Sequence, residues 1–255
     1  MNIMETRNLS INFGGVKAVQ NISLTIKAGN VTSIIGPNGA GKTTLFNLIS
    51  GIYKPTSGSV FFNNEEITNI PQHDISHRGI SRTFQNIRLF SQLNVLENVM
   101  TALDARAQYN IFEAVLGLPR RKSEDLKNEV KSMNCLELVG LAEFAKEKPH
   151  NLPYGMQRKL ELARALSSEP KLILLDEPAA GLNPKEVDDF IKLLRKIMSI
   201  YNITILLIEH RLQVVHSLSD HIYVLNFGKL LAEGNSAQIQ KNPEVIKAYM
   251  GEDDE

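Results

Sequence analysis

One short stretch constrains this chain more than any other: Gly36, Pro37, Asn38, Gly39, Ala40, Gly41, Lys42, Thr43 and Thr44 in succession. A glycine-rich loop closed by Lys-Thr fits the Walker A pattern, and it works only between a strand and a helix. Both flanks are present. The apolar run Val31 to Ile35 reads as a buried strand. Lys42 to Ser50 reads as a helix stopped by Gly51. The loop therefore sits at a helix N-terminus, where free amides and the helix dipole favour anions. Its glycines let the backbone wrap closely around phosphate oxygens. Lys42 is placed to reach the β- and γ-phosphates of a nucleotide, and the Thr43 hydroxyl to bind Mg²⁺.

Length and charge bound the rest. A chain of 255 residues holds one large domain, or a core with a subdomain. Its 28 basic residues balance 28 acidic ones. That balance argues against broad electrostatic binding to nucleic acid, which usually needs a basic excess. The single cysteine, Cys135, cannot form an intrachain disulfide. It lies among Leu136, Leu138 and Val139 and reads as a small core-facing thiol. The N-terminus carries no apolar signal core. The longest apolar runs, such as Leu172 to Leu175 and Ile203 to Ile208, are far short of a bilayer. The expectation is a soluble chain whose membrane role, if it has one, comes through a partner.

Residues 3 to 35 read as several strands joined by turns at Gly14-Gly15, Asn21 and Gly29-Asn30. After the Walker helix come a turn at Pro55 to Gly58 and a strand from Ser59 to Phe62. Residues 93 to 150 change character. Val95, Val99 and Leu103 recur at four-residue spacing, and Asn128 to Leu141 carries Val130, Met133, Leu136, Leu138 and Leu141. This region reads as a helical subdomain inserted into an α/β core, with Leu118 to Lys122 a solvated loop inside it. Helix and strand then alternate again. Met156 to Ser168 is helical, Leu172 to Leu175 and Ile203 to Ile208 are buried strands, and Asn183-Pro184 opens a helix with a capping-box pattern. A hairpin turns at Asn226 to Gly228, a short helix runs from Pro243 to Met250, and an acidic tail ends the chain.

The Walker loop alone leaves several nucleotide enzymes open. Lys171 to Pro178 narrows them: an apolar strand delivers Asp176 and Glu177 to its C-terminal end. Asp176 is placed to hold Mg²⁺, and Glu177 to orient and deprotonate an attacking water.

Between these motifs, Leu152-Pro153-Tyr154-Gly155-Met156 is followed by a helix ending in Ala-Arg-Ala-Leu166. This segment resembles the signature region of ATP-binding cassette (ABC) proteins, usually LSGGQ and then ARAL. The other motifs stand in the family's order along essentially the whole chain. Arg82-Thr-Phe-Gln85 is similar to the Q-loop, Ala180 to Asn183 to the D-loop, and Ile208-Glu-His210 to the switch-histidine position. The resemblance implies a P-loop NTPase (RecA-like) core with an N-terminal antiparallel β-subdomain and an inserted helical subdomain. On that reading residues 1–90 and 160–235 form the core with its β-subdomain, 91–159 the helical subdomain, and 236–255 a C-terminal helix and tail. It further implies binding of ATP with Mg²⁺. Glu177 and His210 would be catalytic, Gln85 would contact Mg²⁺ or water, and Phe13 would stack on adenine. Gly155 would touch the γ-phosphate held by a second chain. Such cassettes close head to tail over two ATP molecules and open on hydrolysis.

The run Arg82 to Phe90, the Tyr-Gly form of the signature, Glu-His-Arg at the switch, and the ending Asn242 to Gly251 are similar to one ATPase subunit of bacterial branched-chain amino acid importers. Urea and short-chain amide importers are close relatives. The partners so implied are two membrane permeases, a sister ATPase (or a second copy of the chain), and an external solute-binding protein reached indirectly. The place so implied is the cytoplasmic face of the inner membrane. Three other classes lack their marks. There are no long heptads between Walker A and signature for a chromosome-structure ATPase. There is no second cassette for a ribosome-associated factor, and no Asn-Lys-x-Asp for a GTPase. Pro153 departs from the family serine and supplies neither hydroxyl nor N–H. A hydrogen bond to a charged group is worth about 1.5–3 kcal/mol, so the expectation is a weakened ATP sandwich.

Overall fold

The computed structural model describes residues 1–104 and 119–250. Strands β1 (Asn2–Phe13) and β2 (Val16–Lys27) form a long hairpin, and β3 (Val31–Ile35) begins a second sheet. The Walker helix α1 (Lys42–Ile49) follows. Then β4 (Ser57–Phe62) pairs with β1, and the two-residue β5 (Glu65–Glu66) with β4. The result is an antiparallel sheet of order β2-β1-β4-β5. One expected turn is corrected here. Asn21 lies inside β2, with φ 51°, among register shifts in the β1–β2 pairing. Asn tolerates the left-handed region, so it serves a bulge as readily as a turn.

Helix α2 (Gln72–His77) leads into β6 (Ile80–Arg82). Three helices come next among the described residues: α3 (Val95–Asp104), α4 (Pro119–Val139) and α5 (Tyr154–Ser167). The remaining elements alternate: β7 (Leu172–Asp176), α6 (Pro184–Tyr201), β8 (Thr204–Ile208), α7 (Leu212–Leu218), β9 (His221–Asn226), β10 (Lys229–Gly234), α8 (Ser236–Gln240) and α9 (Pro243–Met250). The second sheet has the order β10-β9-β3-β8-β7-β6, parallel throughout except for the β9–β10 hairpin.

Strands β3, β7 and β8 are buried along their whole length. A parallel strand covered on both faces needs apolar residues on both, which is why these segments read as unbroken apolar runs. The pleat then sorts them. Leu172, Leu174, Leu206 and Ile208 face one core, shared with α1 and the antiparallel sheet. Ile173, Leu175, Ile205 and Leu207 face the other, shared with α3, α4, α5 and α6. This is the P-loop NTPase fold.

The helical region follows its apolar stripe, with two corrections. Val95, Val99 and Leu103 are buried as the spacing requires. On α4 the buried stripe is Asn128, Ser132, Cys135, Leu136 and Val139, and Val130 is exposed. Val130 lies two residues off that stripe, which turns it about 200° away. Burial pushes the Cys135 thiol up to about 11. Residues 119–122, expected as loop, form the first turn of α4. Proline is tolerated there because its missing N–H would have no helical partner. Leu118 and the acidic tail, 251–255, lie outside the described residues. Helix α5 runs without a break across residues 159 and 160.

Candidate nucleotide site

Three neighbouring strands, β3, β8 and β7, end side by side. Their loops carry residues 36–44, Glu209 with His210, and Asp176 with Glu177. In open α/β sheets this edge is where ligands bind.

The Walker loop is shaped by crowding as much as by conformation. A Cβ on Gly36 would stand 2.1 Å from the carbonyl oxygen of Leu225 in β9. One on Gly41, at φ 96°, would stand 2.4 Å from that of Ala18 in β2. Lys42 is buried, and its Nζ donates to the carbonyls of Gly36 at 2.7 Å and Pro37 at 2.8 Å. That fixes the ammonium inside the curve of the loop. The α1 helical bonding begins with Leu45 N–H on the Gly41 carbonyl, so the first amides of α1 point into the loop as an anion cradle.

Glu177 is the focus of the acidic side. It has φ 48°, a left-handed conformation that costs a non-glycine residue about 1–2 kcal/mol. Its amide donates to the Ile208 carbonyl at 2.9 Å. Its carboxylate is held from both sides: Gln85 Nε2 donates to Oε2 at 2.8 Å, and His210 Nε2 lies 2.7 Å from Oε1. A strained backbone and two polar partners thus converge on one carboxylate. Behind His210, the buried Glu209 accepts amide hydrogen bonds from Ala179, His210 and Arg211 at 2.8–2.9 Å. Glu209 thus ties His210 to Ala179, just before the segment Ala180 to Asn183.

Residues 38–44, Gln85, Glu177 and His210 line one cleft of about 670 Å³. Phe13 does not line it. Its ring, at the end of β1, meets Tyr53 edge-on at 5.2 Å. The large apolar side chains at the cleft are instead Val16 and Phe227. Phe227 sits in the β9–β10 turn at φ 45° and is 80% exposed, an unusual setting for an aromatic residue. Gln20 braces this turn by donating from its amide to the Gly228 carbonyl and from Nε2 to the Phe227 carbonyl.

Asp176 lies behind the cleft. Arg82 donates to its Oδ2 at 2.9 Å, and also to Asn47 Oδ1 and Ser50 Oγ at 2.8 Å each. Both members of the pair are buried. Burial raises the Asp176 pKa, and the Arg82 hydrogen bond offsets part of that. The residues that could hold Mg²⁺ offer hard oxygen: the Thr43 hydroxyl, the Gln85 amide and the Asp176 carboxylate. The described residues contain no cluster of three or more His, Cys, Asp or Glu side chains suited to a metal. One carboxylate beside a phosphate cradle suits an ion that arrives with nucleotide and completes its shell with phosphate and water.

Gly155 is not part of this cleft. It lies in the first turn of α5, where a Cβ would meet Glu186 Oε1 at 2.7 Å. Glu186 belongs to the Asn183–Glu186 capping box that starts α6 after the D-loop. Pro153 caps α5 with its carbonyl, which accepts from Met156 and Gln157 N–H.

Sequence reading missed Arg82, Glu209, Phe227 and the charged face of α5. The available signal was apolar context: Glu209 ends a fully apolar strand, and Arg158 and Glu161 interrupt an otherwise packing-rich helix.

A family model described as "ABC transporter" matches residues 19–180. A second, described as "Branched-chain amino acid ATP-binding cassette transporter", matches residues 229–255. The chain is 45% identical over 250 residues to the high-affinity branched-chain amino acid transport ATP-binding protein BraF of Pseudomonas aeruginosa, covering 98% of each. It is 42% identical over 253 residues to the corresponding LivG protein of Escherichia coli, again covering 98% of each. Among solved structures, the ADP conformation of an ATP-binding cassette from an ABC transporter superposes with a TM-score of 0.86 at 34% identity, covering 98% of this chain and 99% of that one.

Proposed function

This chain belongs to the ABC transporter ATP-binding family, and from that premise we propose that it is the ATP-hydrolysing subunit of an importer for branched-chain amino acids. The observation that carries the mechanism is the placement of Glu177. It faces the cleft formed by the Walker loop, gripped by Gln85 and His210. A carboxylate so oriented is a general base for the water that attacks the γ-phosphorus. His210 holds it in place and stabilises charge as the phosphate leaves. Lys42 and the first amides of α1 neutralise the phosphates. Magnesium would be held by Thr43 and Asp176, with Gln85 beside it, and would supply charge neutralisation to the phosphates. Val16 and Phe227 flank the same cleft and offer an apolar seat for the base, a place the sequence resemblance gave to Phe13.

Gly155 lies outside the chain's own cleft, which supports a head-to-tail pair in which it completes the site of a second cassette. A groove of about 390 Å³ lined by Phe84, Arg88, Phe90, Thr101 and Arg164 lies beside the Gln85 loop and suits a coupling helix of a permease. None of the described helices is long and apolar enough to cross a membrane. Attachment to the cytoplasmic membrane face would therefore run through such a partner.

The test is Glu177→Gln in the complex assembled with its permeases. Removing a general base costs about 10²- to 10⁴-fold, so hydrolysis should fall by that factor while ATP binding persists. Hydrolysis at the wild-type rate would refute the assignment.

A further inference from the structure

The signature helix carries an unusual polar face. Arg158, Glu161 and Arg164 recur every three residues along α5, and the first two are almost fully buried. All three reach the Gln85 loop through its backbone. Arg158 Nη1 donates to the Phe84 carbonyl at 3.0 Å, and Nη2 donates to the Gln85 carbonyl with a short bond. Glu161 accepts from the Phe84 N–H at 3.4 Å and lies 3.3 Å from Arg158. Arg164 donates to the Arg88 carbonyl. Backbone contacts of this kind fix where the loop runs, not which side chains it bears.

Tyr154 joins this face to a third motif. Its hydroxyl accepts from Arg158 Nη2 at 2.9 Å, and the guanidinium lies over its ring at 5.4 Å. The hydroxyl end of the ring also lies against Gly181 of the D-loop: a Cβ there would stand 2.8 Å from Tyr154 Cε1 and 3.2 Å from Cζ. Gly181 has φ 78°, so both conformation and the ring exclude a side chain. Most ABC signatures have glycine where this chain has Tyr154. A glycine there would leave the Arg158 head group without its aromatic cover and the D-loop without its stop.

We propose that Tyr154 and Arg158 form a positioning latch that locks the Gln85 loop backbone and the D-loop glycine to the first turn of the signature helix. This rests on the functional reading above. Movement of the Gln85 loop, driven by a permease seated in the neighbouring groove, would then carry Gly155 with it. Loading of one ATP site would in the same way be felt at the surface offered to the other. Arg158 suits this role because its planar fork binds two carbonyls and a hydroxyl at once, which a lysine cannot do.

The experiment has two arms. In the first, amide hydrogen exchange is measured on the full chain for wild type, Tyr154→Phe and Arg158→Lys. Exchange at residues 84–88 should be several-fold faster in Tyr154→Phe and faster still in Arg158→Lys, while residues 38–44 keep the wild-type rate. Unchanged exchange at 84–88 in both variants, or an equal rise at 38–44, would overturn the latch. If either variant fails to fold, the other carries this arm. In the second, the assembled transporter is assayed for ATP hydrolysis with and without solute-loaded binding protein. The ratio of stimulated to basal rate should fall at least threefold in Tyr154→Phe. A ratio equal to wild type, even with both rates lowered together, would overturn the coupling. A wild-type complex that does not hydrolyse ATP would count against the functional reading, and the exchange arm would still decide the latch.

Discussion

Two buried arginine–carboxylate pairs flank the Gln85 loop, and they divide their labour in opposite ways. Arg82–Asp176 stands on the nucleotide side at 2.9 Å, and Arg158–Glu161 on the signature side at 3.3 Å. Burying an ion pair gains little stability over packed apolar groups, while breaking one is costly. Such pairs therefore point to a role beyond holding the fold. In the first pair the acid is the working member. Asp176 ends β7 beside Glu177, the base proposed above, and Arg82 offsets part of the rise that burial imposes on its pKa. In the second pair the arginine is the working member. Arg158 binds loop carbonyls, and Glu161 is its counter-charge. The loop between them takes its position from both the ATP site and the signature. Gln85 therefore touches both, its side chain on Glu177 and its carbonyl on Arg158.

The sharpest way to break this comparison is to remove the two arginines in turn. Arg82→Met strands Asp176 as a buried charge next to Glu177 and takes a donor from Asn47 and Ser50. Breaking a buried pair costs about 3–5 kcal/mol, and urea denaturation should show a loss in that range. Arg158→Met leaves Glu161 with the Phe84 N–H and the field of Arg164, and strands carbonyls, which tolerate it better than a charge. Its loss should be smaller, about 2–3 kcal/mol. Equal losses, or a reversed order, would mean the pairs are interchangeable struts and the division of labour is wrong.

The same contrast shows what a sequence can disclose. Walker A, the Asp176-Glu177 pair and the buried strands were legible because each is local: a turn needs its glycines, and a doubly covered strand needs its apolar run. The helical stripe at Val95, Val99 and Leu103 was legible for the same reason. Arg82 and Arg158 were not. Their partners lie 94 residues away at Asp176 and about 74 residues away at Phe84, and a surface arginine looks identical in a sequence. Val130 was misplaced because a helical stripe fixes a face only once its phase is known. Phe13 stands off the cleft because the hairpin bearing Phe227 arrives there from the far end of the chain. The Phe227 conformation, left-handed without glycine, follows from β9–β10 pairing and the Gln20 brace rather than from any local preference.

The finest discrimination comes from pH. Burial raises the Glu161 pKa, and the Phe84 N–H and the charges of Arg158 and Arg164 offset only part of that shift. A carboxyl whose folded pKa lies above its unfolded value of about 4.3 binds its proton more tightly in the folded state. The stability it contributes is complete below the unfolded value and is lost as pH rises through the folded one. Glu161→Gln deletes that dependence and retains an acceptor for the Phe84 amide. Urea midpoints of wild type relative to Glu161→Gln should therefore decline as pH rises from about 4 and level off once Glu161 is ionised, a smaller effect than either arginine replacement. Arg82→Met, by contrast, should strengthen the same kind of decline, because Asp176 loses the group that resists its protonation. If the wild type instead gains on Glu161→Gln as pH rises, the field of Arg158 outweighs burial. The signature-side pair would then be a stabilising bridge in its own right, with Glu161 more than a counter-charge.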